Sequence, residues 1–332
     1  AANDLTADQL SSDGNVTLTA TNGSITLNDT VGSESGTIAS TANTTITQAV
    51  GANISTAGAG DITMISTTGA ITLNAGTATT GTGNIDITAT ASDISMTSGS
   101  SLDTTSGFIH LTANAGSITS NDLDTTGGEI VLSSQDDITL NAGTTSTGAG
   151  QVSATSSAGN ITVASALNAG DGNITLSANQ SLTQNTSSAI STSTTGTITM
   201  TATAGSLTSN SNITSGGGNV TIEATAGAVT LEAASSSAGG SIGITSGTTT
   251  TLNGSTSSAG GNTTITAGSA FNLNGSMASD GGAIAVTAGT DIISAIGSSV
   301  DASSTGSTGT ISMVAATNLT ADKLTSDSTI TH

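Results

Sequence analysis

Apolar and polar residues alternate along this chain in short bursts that return about every 22 residues. A Gly-Asn or Gly-Asp pair is followed by an aliphatic residue, a polar one and a second aliphatic one. Gly14-Asn15-Val16-Thr17-Leu18, Gly60-Asp61-Ile62-Thr63-Met64, Gly83-Asn84-Ile85-Asp86-Ile87, Gly172-Asn173-Ile174-Thr175-Leu176 and Gly218-Asn219-Val220-Thr221-Ile222 all follow this pattern. Strict alternation marks a strand with one buried face, so Val16, Leu18 and Ala20 turn inward while Thr17 and Thr19 turn out. A fixed period of roughly 20 to 50 residues marks a stacked-repeat architecture.

Each period predicts three strands. The first begins at Val16, Ile38, Ile62, Ile85 and so on through Ile265, Ile284, Ile311 and Ile330. A second follows eight or nine residues later, at positions such as Ile25, Ile46, Ile71, Leu252, Phe271 and Leu319. A weaker third is marked by Ile54, Leu102, Leu123, Leu167, Ile190, Ile213, Met277, Val300 and Leu324. The expected fold is all-β: a right-handed parallel β-helix (β-solenoid) of about 14 coils, each of roughly 22 residues, with residues 1–332 as a single solenoid. Stacked at the usual strand separation of about 4.8 Å, the coils would make a rod about 65–70 Å long.

The corners carry turn chemistry. Ala115-Gly116, Ala158-Gly159, Ala204-Gly205 and Ala226-Gly227 lie between strands one and two, where glycine is expected to supply a positive φ. Asn15, Asn84, Asn160, Asn173 and Asn219 are expected to tolerate left-handed geometry and to hydrogen-bond along the axis. Proline is absent, as a ladder with neighbours above and below requires.

Composition fits this reading. The chain has 332 residues with no Pro, Cys, Trp or Tyr, 2 Phe and 43 Gly, so it lacks the aromatic bulk of an ordinary globular core. Returning aliphatic residues distinguish it from a disordered Gly/Ser/Thr-rich linker. One Lys or Arg against 22 Asp and Glu gives a net charge of −21, which argues against a nucleic-acid groove and against docking on anionic lipid. No apolar run is long enough to span a membrane, and residues 1–10 lack the features of a signal peptide. The expected location is secreted or cell-surface, with processing already complete.

Blocks such as GNITLSANQSLT (172–183) and GDITMISTTGAITLNAGT (60–77) resemble the repeats of filamentous-haemagglutinin-type exoproteins, long bacterial adhesins exported by two-partner secretion. The resemblance covers nearly the whole chain. It implies a right-handed β-helical shaft, export, and an extracellular or cell-surface location.

A longer repeat links the two ends. Residues 5–13 read LTADQLSSD and residues 319–327 read LTADKLTSD. The chain begins at a second strand, Leu5, and stops at a first strand, Ile330, so one copy could continue another. No polar cap is visible at either end. The expected partners are copies of the chain stacked end to end or adjacent tandem repeats, together with cell-surface glycans.

Residues with catalytic or ligand-binding chemistry are few, and no catalytic, cofactor or metal site is expected. Asp136-Asp137 is the best carboxylate pair, but it reads as a solvated turn before Ile138. His110, between Ile109 and Leu111, points outward, and His332 is terminal; both read as solvated. Asp122 and Asp124 flank Leu123 without a calcium-binding repeat around them. Outward Thr pairs on strand one, Thr17/Thr19 and Thr199/Thr201 with His110/Thr112 in the same row, suggest an ice- or glycan-binding ladder, although Asp86, Glu223, Ser177 and Gly243 interrupt it. Sequons such as Asn160-Ile161-Thr162 arise by chance in such a composition. The expected function is therefore a non-enzymatic shaft or filament subunit, with a glycan- or ice-binding solenoid as the alternative.

Overall fold

The computed structural model describes residues 3–304 and 308–332, leaving Ala1 and Ala2 of the N-terminal stretch outside the description. Among the described residues all 45 regular elements are β-strands, in three sets of 15 by their place in the turn. The chain is a parallel β-solenoid of about fifteen turns, one more than the sequence period suggested. We call the three sets the first-, second- and third-strand sheets, in the order used above.

Residues divide into two compact units, Ala1–Ala169 and Gly170–His332. In the first unit, the first-strand sheet is built from five-residue strands running from Val16–Ala20 to Val152–Ser156. The second-strand sheet runs from Leu5–Ala7 to Ile161–Val163, and the third from Leu10–Ser12 to Leu167–Asn168. Ile25, Ile46, Ile71, Ile94, Ile118, Ile138 and Ile161 pair consecutively in parallel register, and all are fully buried. β-Branched side chains stacked at strand separation build this interior. Each buried aliphatic side chain contributes on the order of 1.5–3 kcal/mol.

The second unit repeats the plan. Its first-strand sheet runs from Ile174–Ala178 to Ile330–Thr331, its second from Leu182–Gln184 to Leu319–Thr320, and its third from Ile190–Thr192 to Leu324–Thr325. One first strand and one second strand begin two residues earlier than their aliphatic markers. Thr263, paired with Ile242, opens the strand marked by Ile265, and Thr250, paired with Val229, opens the one marked by Leu252. Both threonines are fully buried. Third strands also lie at Val31, Thr77, Thr144, Ser235 and Thr256, which the aliphatic count passed over. Four of these five place a hydroxyl residue where an aliphatic one was sought.

The corner leading into the first strand explains the Gly-Asx phrase through three columns. In the first, a Cβ on Gly60, Gly83 or Gly107 would overlap the carbonyl oxygen of the glycine one turn back, namely Gly36, Gly60 or Gly83. None of these glycines has a positive φ, so close backbone approach makes glycine necessary there. In the second column, buried hydroxyls donate to those glycine carbonyls: Thr56 Oγ1 to Gly60 O at 2.6 Å, Thr79 Oγ1 to Gly83 O at 2.7 Å and Thr104 Oγ1 to Gly107 O at 2.6 Å. The second unit repeats this with Thr192 on Gly196 at 2.8 Å, Ser215 on Gly218 at 2.7 Å and Ser258 on Gly261 at 2.6 Å.

The third column is the Asx residue itself. Asn15 Oδ1 accepts from Thr37 N–H at 3.0 Å, Asp61 Oδ1 from Asn84 N–H at 2.8 Å and Asn84 Oδ1 from Phe108 N–H at 3.0 Å. Asn173 and Asn219 receive Thr197 N–H at 2.9 Å and Ser241 N–H at 2.8 Å. The expected axial hydrogen bonding is therefore present. The expected left-handed backbone is not, since among the described residues the non-glycine positions with positive φ are Ser187, Ala259 and Asp280. Asn160 belongs to the next corner, ahead of the second strand Ile161–Val163, where Asp137 Oδ1 accepts its N–H at 2.7 Å.

Gly116, Gly159, Gly205 and Gly227 likewise lack a positive φ; a Cβ on Gly116 would collide with backbone at Ser92, and one on Gly159 with backbone at Asp136. Among the described residues the left-handed positions fall in two kinds of corner: one place in the longest second-to-third corners, as Gly51 (φ 82°), Gly99 (φ 90°), Ser187 (φ 66°) and Gly297 (φ 91°), and some of the third-to-first corners, at Gly58, Gly170, Gly239, Ala259, Gly260, Asp280 and Gly281.

Candidate functional site

With the interior closed by aliphatic and hydroxyl columns, chemistry is left to the outward rows. On the first-strand sheet the row holding Thr17 continues through Ala39, Thr63, Asp86, His110, Val131 and Ser153 in the first unit. The interruption at Asp86 is present, and in the second unit Gly243 and Glu223 break the two rows. The first-strand ladder is therefore chemically mixed.

A more uniform row lies on the second-strand sheet. Thr6, Thr26, Thr47, Thr72, Ser95, Thr119, Thr139 and Thr162 are consecutive register partners, one per turn, each outward between two inward positions. Eight hydroxyls thus stand in line at a spacing of about 4.8 Å. In the second unit Thr183, Thr208, Thr230 and Thr251 continue the pattern before Asn272 and Ile293 end it. The signal was the middle letter of Ile25-Thr26-Leu27, Ile71-Thr72-Leu73 and Ile138-Thr139-Leu140.

His110 does lie on the outward face, but it is not simply solvated. Its Nε2 is 3.1 Å from Glu129 Oε1, and its ring stacks on Phe108 with centroids 4.0 Å apart. Gln151 Nε2 donates to the other Glu129 oxygen at 2.8 Å. The Gln151 hydrogen bond, followed by the contact with His110, holds the Glu129 carboxyl below its ordinary pKa. Glu129 and Gln151 precede the next two first strands, so the cluster ties three successive turns together. His332 is exposed.

Asp122 and Asp124 both lie on the outward face of the third-strand sheet, with Asp103 the register partner of Asp124. Burial first, and then the charge of Asp103, raise the Asp122 pKa; burial, Asp122 and Asp103 raise that of Asp124. Asp103 and Asp124 line an open recess with Thr104, Thr125, Thr126, Thr145 and Thr147. Among the described residues no group of three or more His, Cys, Asp or Glu is placed to hold a metal ion.

Asp136 and Asp137 sit in a corner before Ile138, and both are exposed. They act separately: the Asp137 carboxylate accepts Asn160 N–H and Nδ2 at 2.7 and 3.0 Å, while the Asp136 carbonyl accepts Ser134 and Ser156 hydroxyls, each at 2.6 Å. No described helix is long and apolar enough to cross a membrane. No family model, curated protein or solved structure matches the chain.

Proposed function

We propose that this chain is a non-enzymatic structural shaft or filament subunit of an extracellular or cell-surface fibre or adhesin. The observation that carries the reading is the triple column of glycine, hydroxyl and Asx at the corner into the first strand, present in both units. The Asx groups join one turn to the next, the hydroxyls close each corner, and together they leave the shaft with length and stiffness as its working properties. The likeness of its blocks to filamentous-haemagglutinin-type repeats supports the same reading.

The shaft continues end to end, through further copies or through adjacent tandem repeats. Support comes from LTADQLSSD and LTADKLTSD, which occupy the same places in the turn: Leu5 and Leu319 on the second-strand sheet, and Leu10 and Leu324 on the third. Electron microscopy of native material tests the reading. Long uniform rods support it, and compact particles without axial order overturn it.

A second reading, a glycan- or ice-binding solenoid, is favoured by the eight-hydroxyl row of the second-strand sheet. Thermal hysteresis with ice shaping, or retention on a glycan array, would support that reading; absence of both removes it.

A further inference from the structure

We infer that Asn22-Gly23 is a self-modification site: in the folded chain the Asn22 side-chain amide is converted, without an enzyme, to aspartate and isoaspartate. The sequence holds three Asn-Gly pairs, Asn22-Gly23, Asn253-Gly254 and Asn274-Gly275. Glycine favours the reaction because no side chain shields its amide nitrogen from the carboxamide before it. All three asparagines are exposed, so neither residue type nor access separates them. Hydrogen bonding does.

Asn253 and Asn274 are held at both reacting ends. Asn253 Nδ2 donates to Glu232 Oε2 at 2.8 Å, and Asn274 Nδ2 donates to Asn253 Oδ1 at 2.7 Å. The backbone nitrogens that would attack are engaged as well: Gly254 N–H donates to Leu231 O at 3.2 Å and Gly275 N–H to Leu252 O at 3.1 Å. Asn22-Gly23 lies in the corner between the first strand Val16–Ala20 and the second strand Ile25–Leu27. At the same place in other turns Gly69 N–H donates to Thr44 O at 3.2 Å and Gly205 N–H to Gln180 O at 3.1 Å. Gly23 N–H lacks the matching bond to Asn3, its counterpart one turn back, and among the described residues the Asn22 side chain has no hydrogen-bond partner.

The reaction balances with water as its only co-reactant. The Gly23 nitrogen gives its proton to solvent and attacks Asn22 Cγ; the N–Cγ bond forms, the Cγ–Nδ2 bond breaks, and Nδ2 leaves as ammonia. Water then opens the cyclic imide at one carbonyl to give aspartate or at the other to give isoaspartate. Isoaspartate lengthens the main chain by a methylene two residues before Ser24, whose N–H is held by Asp4 Oδ1 at 2.8 Å and whose carbonyl accepts Leu5 N–H at 2.8 Å. The change falls on the corner that ties the strand Leu5–Ala7 to Ile25–Leu27.

The test is incubation of the full chain in mildly alkaline buffer, with circular dichroism to check that it stays folded. Pepsin digestion and mass spectrometry with electron-transfer fragmentation then read aspartate and isoaspartate at each position. A parallel sample is held unfolded in guanidinium chloride. In the folded chain the expected conversion at Asn22 is about tenfold or more faster than at Asn253 or Asn274, the rate factor for breaking the hydrogen bonds that hold the other two. In the unfolded chain the three sites convert at similar rates. Equal rates in the folded chain, or a lead at Asn253 or Asn274, overturn the inference. So does an Asn22 lead of the same size in the unfolded chain, which would make flanking sequence rather than the fold its cause.

Discussion

The Thr79 hydroxyl donates to the Gly83 carbonyl at 2.7 Å from a side chain that is only 2% exposed. Thr79 is the last residue of a third strand and Gly83 opens the Gly-Asn phrase before the next first strand, so a buried polar side chain closes the corner from inside. Thr79→Val keeps the shape and removes the donor. It should cost about 1–3 kcal/mol, the usual penalty for leaving a buried carbonyl without its partner, measured by urea unfolding. No measurable loss would mean that the hydroxyl column is incidental.

Glycine at position 83 is required by space. A Cβ there would run into the Gly60 carbonyl, whereas one on Gly14 would meet nothing within 4 Å. Gly83→Ala should therefore destabilise strongly, by about 3 kcal/mol or more, and Gly14→Ala should stay within about 0.5 kcal/mol of the parent. Thermal melts of the two variants side by side check the contrast.

The acidic patch on the third-strand sheet makes stability depend on pH. Because Asp122 and Asp124 have raised pKa values in the folded chain, their protonated forms bind the fold better than their charged forms. Their contribution is fully present below the unfolded pKa and is lost as pH rises through the folded values. Asp103→Asn removes one source of the shift, so it should raise the melting temperature at neutral pH and weaken the gain on mild acidification. A variant whose melting temperature at neutral pH is unchanged or lower would contradict this assignment.

Inside and outside are separable by substitution. Ile174 is fully buried while Thr17 is outward and exposed. Ile174→Asp buries an unpaired carboxylate and should disrupt its own turn and the neighbouring one, whereas Thr17→Ala should change stability by less than about 0.5 kcal/mol. Native-state hydrogen exchange would locate the damage.

The aliphatic half of the fold was legible because alternation reports burial directly: Val16, Ile25 and their successors name their own strands. The hydroxyl half was hidden. Thr77, Thr144, Ser235 and Thr263 read as polar, yet they fill interior positions, and a sequence does not display the strand neighbours that enclose them. Gly116 and Asn84 look like left-handed turn residues because residue type suggests conformation, while the deciding contacts lie one turn away in space and over twenty residues away in sequence. A separation of 19 residues likewise conceals Glu129 as the partner of His110. The second-strand hydroxyl row is readable in the repeated Ile-Thr-Leu triplets, where one threonine per turn is a weaker signal than the paired threonines of strand one.

Electron cryo-microscopy of native material tests the shaft reading most directly. The expected images show continuous rods in which the axis advances about 4.8 Å per turn with no break at the boundary between successive copies. Isolated short particles, or rods whose turns do not continue in phase from the Leu319–Ile330 turn into the first turn of the next copy or repeat, would contradict it.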